Sequence, residues 1–221
     1  MMSVRSRLFP TIVLAALAAT GLSGCKSKGE IVVDEGVGIT AVRTRCPAVG
    51  IPDYTGDITL FRGPGAKTAA NIDVVAVMTN VRVECSESAD NVFSSVRFDV
   101  LARRSDAQGA RQVTLPYFVT VLRGGRAVVT KRVGNVTLNF ADGQERAQAN
   151  AQGSTYIDRN AATLPEDVRE RITRKRKAGD ADAALDPLAD PDVKAAVERA
   201  SFEVLVGFQL DEDQLAYNAT R

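Results

Sequence analysis

The residue types that most often do chemistry are sparse in this chain of 221 residues, which contains three cysteines and no histidine. Without histidine there is no usual base for a Ser-His-Asp triad or for a nucleophilic cysteine. Zinc sites of the usual histidine-containing kinds are excluded too, and the cysteines are too few for a closed Cys₄ site. We therefore expect a protein that is not an enzyme and that carries no cofactor.

Carboxylates are the remaining candidates for metal binding, and they occur in two acidic stretches. Neither stretch has the glycine at the sixth position and the glutamate at the twelfth that define an EF-hand calcium loop. We interpret both as solvated loops, and a hydrolase using paired carboxylates is the weakest functional hypothesis. The residues are Asp180, Asp182, Asp186, Asp190 and Asp192 in the first stretch, and Asp211, Glu212 and Asp213 in the second.

The densest local charge is basic and lies at residues 169–177, "RERITRKRK". One interpretation is a face that contacts anionic head groups, lipopolysaccharide phosphates or acidic cell-wall polymers. The other is a solvated helix end, where cations interact favourably with the helix dipole and need no partner. The candidate anion contacts are Arg171, Arg174, Lys175, Arg176 and Lys177.

The first residues have the order of a secretory signal. Arg5 and Arg7 precede an apolar run without charge, residues 8–21, and small residues follow it. The run is shorter than the ~20 residues that a membrane-spanning helix needs. This order predicts a leader for export rather than a spanning anchor.

Leu22, Ser23, Gly24 and Cys25 end this run and resemble the lipobox of bacterial lipoprotein precursors. The resemblance implies that residues 1–24 are a signal peptide and that Cys25 becomes an acylated first residue. Two or three acyl chains are enough to hold a domain at a bilayer surface without a spanning helix.

The residue after the cysteine is Lys26 and not Asp, which in the lipoprotein family implies transport to the outer membrane. A domain held there is expected to face the periplasm. The tail "VGFQLDEDQLAYNATR" and the segment "LPYFVTVLRGG" are also similar to uncharacterised envelope lipoproteins of Gram-negative bacteria.

Assigning Cys25 to lipid leaves Cys46 and Cys85 as a pair. In an oxidising compartment the pair is expected to form a disulfide. By closing a loop, this disulfide would stabilise the fold by ~3 to 4 kcal/mol in the chain-entropy model. The alternative is one reactive thiol, for which the chain provides no histidine base.

Period-2 alternation of apolar and polar residues dominates the rest of the chain and predicts strands. After a tether at residues 25–37, we expect one domain over residues 38–221. Its fold class is mainly β: an antiparallel β-sandwich, immunoglobulin-like or a related Greek key. The predicted strands lie at 38–43, 57–61, 71–85, 92–104, 113–123, 127–133, 136–140 and 201–210.

The strand predicted at 71–85 has apolar residues at odd positions, so Val75, Val77 and Cys85 are expected to face the core. Gly124 and Gly125 separate the next apolar runs and predict a tight hairpin with positive φ.

Residues 159–200 differ in composition and predict a two-helix insertion before the last strand. Thr163 and Glu166 have the spacing of a capping box, which predicts a first helix over 164–177. Asp190 and the proline after it predict the start of a second helix, with Val193 and Val197 facing inward. The helices are expected to cover an edge or an end of the sandwich.

Charge is balanced once the leader is removed, because Arg5 and Arg7 account for two of the 28 basic residues and 27 are acidic. No nucleic-acid partner is expected from such a balance. The leading hypothesis is a non-enzymatic outer-membrane lipoprotein, bound to the bilayer through Cys25, that acts as an interaction module with an envelope protein. The alternative is a carbohydrate- or ligand-binding protein, although four tyrosines and no tryptophan offer little for stacking on sugars.

Overall fold

The structure is a computed structural model that describes residues 44–221, except residues 64, 66 and 178. The predicted signal peptide, Cys25, the tether at 25–37 and the predicted strand at 38–43 lie outside the described residues. Within the described part of the chain, no helix combines the length and the hydropathy needed to cross a membrane.

Strands make up about half of the described chain, and the predicted mainly β sandwich is confirmed. The strands belong to two packed sheets of four strands each. They are β1 Ala48–Gly50, β2 Asp57–Phe61, β3 Ile72–Glu87, β4 Asn91–Arg104, β5 Arg111–Arg123, β6 Ala127–Phe140, β7 Arg146–Asp158 and β8 Phe202–Phe208.

The strand order is β1-β8-β5-β6 in the first sheet and β2-β3-β4-β7 in the second sheet. All neighbours are antiparallel except β1 and β8, which run parallel. Strands β4 and β7 are neighbours in one sheet, while β5 and β8 are neighbours in the other. The chain thus crosses between the sheets as strands B, C, E and F do in the immunoglobulin arrangement.

The core lies between the sheets and is built from the inward residues of the alternating strands. Phe98, Phe140 and Phe208 are its largest apolar side chains, each at most 2% exposed, and burying such a ring contributes about 1.5–3 kcal/mol. The sheets approach closely at Gly153, where an added Cβ would lie 2.5 Å from the Cγ2 of Val119. A side chain at position 153 would therefore push the sheets apart.

Strand β3 shows that the prediction of which side chains in residues 71–85 face the core is only partly right. In its first half the even positions Val74, Ala76 and Met78 are buried, and Val77 is 43% exposed, so the prediction is wrong there. Pairing with β4 then shifts register between Thr79 and Arg82. An extra residue at a β-bulge reverses the faces, and after it Cys85 packs against the core as expected.

Strand β7 was not predicted, because its alternation lacks large apolar residues. Its inward positions Ala147, Ala149, Ala151 and Gly153 have small side chains or none, and they lie against the core. Polar residues occupy the positions between them. Strand β6 also differs from the prediction, since it joins the two predicted runs at 127–133 and 136–140 into one strand.

Three α-helices complete the described fold: α1 Glu166–Thr173, α2 Pro191–Ala200 and α3 Glu212–Thr220. Helix α2 begins as predicted, with the Asp190 carboxylate accepting the backbone N–H of the residue at position 192. Helix α1 is shorter than predicted, and the capping box is wrong. Its N-cap is Pro165, and the Thr163 hydroxyl instead donates to the carbonyl of Arg159 at 2.6 Å.

The insertion carries a small apolar core of its own and lies at one end of the sandwich, consistent with the predicted cover. The backbone N–H of Gly124, in the β5–β6 hairpin, donates to the carbonyl of Ser201 at 2.9 Å. The Arg123 Nε donates to the carbonyl of Arg199. The insertion core consists of Val168, Ile172, Val193, Ala196 and Val197.

Helix α3 was not predicted, and it explains the second acidic stretch. Asp211 is its N-cap and forms a capping box with Gln214. Carboxylates in the first turn complement the positive end of the helix dipole. Asn218, only 7% exposed, holds α3 to the sandwich by donating to the carbonyls of Tyr54 and Asp57, both at 2.8 Å.

Candidate functional site

The structure contains the predicted disulfide between Cys46 and Cys85, whose Cα atoms are 6.0 Å apart. Cys46 precedes β1 of the first sheet, and Cys85 lies on β3 of the second sheet. The bond therefore links the two sheets covalently. Both cysteines are partly buried at the edge of the core, which indicates a structural rather than a catalytic role.

Three arginines of the basic cluster predicted as an anion contact pair with aspartates within the insertion. Arg171 pairs with Asp190 at 2.5 Å, and Arg174 pairs with Asp182. The Arg176 side chain, 4% exposed, also contacts Asp182, at 3.3 Å. Residues 174–177 lie beyond the end of α1, and Lys175 and Lys177 are exposed there.

These contacts also change the pKa values of the carboxylates. Partial burial acts to raise the pKa of Asp182, but hydrogen bonds from Arg176 and Arg174 outweigh it and lower the pKa below its ordinary value of 3.8. The pKa of Asp190 is also lowered, first by the backbone N–H of Val193 and then by Arg171. Both groups are therefore held in the charged form by their neighbours.

A cavity of about 960 Å³ lies between α1 and the loop that precedes α2. Its ionisable lining has more carboxylates than guanidinium groups, so its field does not favour an anion. The carboxylates are Asp167, Glu170, Asp182, Asp186 and Asp190, and the guanidinium groups are Arg171, Arg174 and Arg176.

The other acidic residues also have local structural roles. Asp186 accepts the backbone N–H of Leu188 at 2.9 Å, and Asp180 accepts that of Lys177 at 3.0 Å. Within the described residues, no group of three or more His, Cys, Asp or Glu side chains is arranged to hold a metal ion.

A different basic surface lies on the outer side of the second sheet, and we call it the arginine face. Its side chains project from β3, β4 and β7, away from the core, and all are exposed in whole or in part. The arginine face consists of Arg82, Arg97, Arg103, Arg146, Gln148 and Asn150.

Two pairs of arginines stand directly opposite each other on this face. Arg82 of β3 pairs with Arg97 of β4, and Arg103 of β4 pairs with Arg146 of β7. Like charges at directly opposite positions of a sheet destabilise it. The register of the second sheet thus brings positive charge together at two places.

Carboxylates compensate only one member of each pair. Arg97 contacts Glu84, and Arg103 contacts Glu145 at 3.1 Å. Among the residues that the structure describes, no carboxylate lies within ion-pair distance of Arg82 or Arg146. These two guanidinium groups are exposed and available to an external anion.

The pair of Arg103 and Arg146 borders a surface groove of about 760 Å³. Val75, Val77 and Leu101 give this groove an apolar side. Its size falls within the range of ordinary ligand sites. The groove therefore offers an apolar surface next to positive charge.

A second recess of about 390 Å³ lies beside Gln152, which stands opposite Arg97 in the sheet register. Phe93, Tyr117 and Arg132 also line it. The Tyr117 hydroxyl donates to the Gln152 carbonyl at 2.9 Å, and burial raises the pKa of this phenol. The recess therefore combines aromatic, amide and guanidinium groups.

Gln148 and Asn150 occupy the stretch of β7 between the two arginine pairs. They stand opposite Leu101 and Asp99 respectively, and Asp99 accepts a hydrogen bond from the Asn80 amide at 2.6 Å. Sequence reasoning missed this site because it missed β7. The available signal was the alternation of small and polar residues at 147–154, "AQANAQGS".

No family model, no curated protein and no solved structure matches this chain.

Proposed function

We propose that this protein is a non-enzymatic lipoprotein of the outer membrane, anchored through acylated Cys25 and directed to the periplasm. In this proposal the β-sandwich is an interaction module that binds an anionic component of the envelope. The lipobox resemblance of residues 22–25 supports the anchor, and the arginine face supports the binding.

The observation that carries the binding proposal is the pair of opposed arginines at each end of the arginine face. Opposed cations reduce the stability of a sheet, and they concentrate a field that attracts anions. The insertion gives less support to binding, because its arginines are paired with aspartates.

The anchor is tested by metabolic labelling with radioactive palmitate. Wild-type protein is expected to take up label, and Cys25→Ser is expected to take up none. A Cys25→Ser protein that is still labelled would contradict the anchor. Immunoblotting of both proteins provides the control for expression.

The binding surface is tested by photo-crosslinking in intact cells. A photoreactive phenylalanine at Asn150, on the arginine face, is expected to give crosslinked products. The same residue at Asn139, exposed on the first sheet, is the matched control and is expected to give none. Equal products from both positions, or none from Asn150, would contradict the proposed surface.

A second candidate, a carbohydrate-binding protein, is favoured by one specific observation. Gln148 and Asn150 place side-chain amides next to exposed guanidinium groups, and both groups form hydrogen bonds suited to sugar hydroxyls and anions.

A further inference from the structure

We propose that the arginine face binds an acidic polysaccharide, which lies along β7 with its anionic groups against the two arginine pairs. This inference rests on the proposed function and deepens it, because it names the chemical class of the envelope component.

The arginine pairs indicate an anionic ligand. Directly opposite residues have Cβ atoms only about 5 Å apart, so the guanidinium groups of each pair can converge on one anion. Guanidinium is planar and binds carboxylate or phosphate through two parallel hydrogen bonds. Arg82 and Arg146 are the expected contacts, because Arg97 and Arg103 already have carboxylate partners.

The spacing of the pairs indicates an extended ligand. Arg146 and Gln152 are six residues apart on β7, and Gln152 stands in the row of Arg97 and Arg82. Six residues of a strand span about 20 Å. A single small anion cannot reach both pairs, whereas a polymer with several charged groups can.

The side chains between the two arginine pairs favour a ligand that is built from sugars. Gln148 and Asn150 are two residues apart, or about 7 Å, and each amide both donates and accepts hydrogen bonds as a hydroxyl does. Leu101 stands opposite Gln148 and Val77 stands opposite Leu101; both are 43% exposed and extend an apolar surface to one side of Gln148. Sugar rings present hydroxyl edges and C–H faces, and this surface matches both.

A polypeptide strand fits the face less well. Added strands bind a sheet edge through backbone hydrogen bonds, whereas the groups presented here are side chains on a sheet face. A bilayer surface is disfavoured because Asp99 lies between the arginine pairs, two residues from Arg97 on β4, where a continuous layer of anionic head groups would meet a carboxylate.

The test is titration of full-length protein in detergent with two acidic polysaccharides. Polygalacturonate carries carboxylates, and a phosphomannan carries phosphates. Each of Arg82→Gln and Arg146→Gln is expected to weaken binding of the preferred polymer about tenfold, as expected for loss of a charge-assisted hydrogen bond. Arg126→Gln is the matched control, because Arg126 is exposed in the β5–β6 turn and pairs with Glu198.

Four further measurements decide between an acidic glycan and other ligands. Neutral dextran is expected not to bind. Polyglutamate is expected to bind more weakly than the acidic polysaccharides, and replacing Gln148 and Asn150 together by alanine is expected to remove that preference. Vesicles containing anionic phospholipid are expected not to retain the Cys25→Ser protein.

Several outcomes would overturn the inference. These are no binding of either polysaccharide, equal binding of polyglutamate, or binding that is unchanged in both arginine variants. Retention on vesicles that depends on Arg82 and Arg146 would assign the face to lipid instead. If the polysaccharides fail while Asn150 crosslinks to a protein in cells, the interaction module stands and the glycan does not.

Discussion

The helical insertion and the arginine face are both rich in arginine, but their arginines have different neighbours. In the insertion, Arg171 and Arg174 meet aspartates from the segment that follows α1. On the face, Arg82 and Arg146 each stand opposite another arginine. The difference teaches that the density of charge along a sequence does not reveal which charges remain available to a partner.

Arg104 shows a third arrangement, in which the guanidinium is buried. It is 1% exposed, although its neighbour Arg103 is exposed on the arginine face. It has no carboxylate among its hydrogen-bond acceptors in the described structure. Its acceptors are four backbone carbonyls, those of Ala107, Gly109, Ala141 and Gln144.

The largest effect is expected from replacing the buried arginine. Arg104→Met leaves the carbonyls of Gly109 and Gln144 without a donor, whereas those of Ala107 and Ala141 still accept the backbone N–H groups of Gly143 and Gln144. Each buried unsatisfied group costs about 1–3 kcal/mol. We expect the free energy of unfolding to fall by about 2 kcal/mol or more, as measured by urea denaturation. Arg103→Met is the matched control and is expected to change stability by less than about 0.5 kcal/mol. Similar losses in both variants would contradict the contrast between buried and exposed arginine.

The next effect concerns the neutralised arginines of the insertion. Asp182→Asn removes the carboxylate that Arg174 and the buried Arg176 share. This change leaves the buried Arg176 with fewer hydrogen-bond acceptors, so we expect hydrogen exchange in α1 to accelerate severalfold. Exchange in β4 and β5 is the internal reference and is expected to stay unchanged. Acceleration everywhere would show that the insertion and the sandwich unfold together.

Acidification is expected to loosen the same region more gradually. The pKa values of Asp182 and Asp190 are lowered in the folded protein, so their stabilising contribution is complete above the ordinary value of 3.8. It is lost as the pH falls through the lowered folded values. Protection factors of α1 and α2, measured at pH 7 and near pH 3, should therefore fall more than those of β8. Equal losses in the helices and β8 would contradict this prediction.

The smallest effect, and the one of opposite sign, is expected on the arginine face. Arg82→Gln or Arg146→Gln removes like-charge repulsion worth roughly 0.2–1 kcal/mol. We expect the Tm of the unliganded protein to rise by about 1–3 °C. Arg97→Gln is the control, because it also removes the ion pair with Glu84 and should leave the Tm nearly unchanged. A lower Tm in Arg82→Gln would indicate a stabilising contact and would weaken the proposed binding face.

Most of the fold could be predicted where the local pattern is strong. The inward residues of β4, β5 and β8, the hairpin glycines and the Asp190 cap follow from period-2 alternation and short-range hydrogen bonds, which neighbouring residues determine. Strand β7 was missed because its inward side chains are small, and it is stable through pairing with β4 along its whole length. Helix α3 was missed although its Asp211 and Gln214 have capping-box spacing.

The candidate site could not be predicted, because it depends on register. Arg82 faces Arg97 only because the bulge in β3 adds one residue to β3 that has no partner in β4. Arg103 faces Arg146 only because β7, which is distant in sequence, takes the edge beside β4. In the same way, Asp182 and Asp190 pair with arginines that lie in one basic stretch of the sequence, residues 169–177.

The amino-acid sequence by itself determined the strands with large alternating side chains, the helix that begins after Asp190 and the pairing of Cys46 with Cys85. These features depend on local periodicity, local capping and the parity of three cysteines. Only the tertiary structure decided which arginines meet carboxylates and which meet each other. The physical reason is that a charge is compensated by its neighbours in space, and in a sheet those neighbours are set by strand order and register between distant segments.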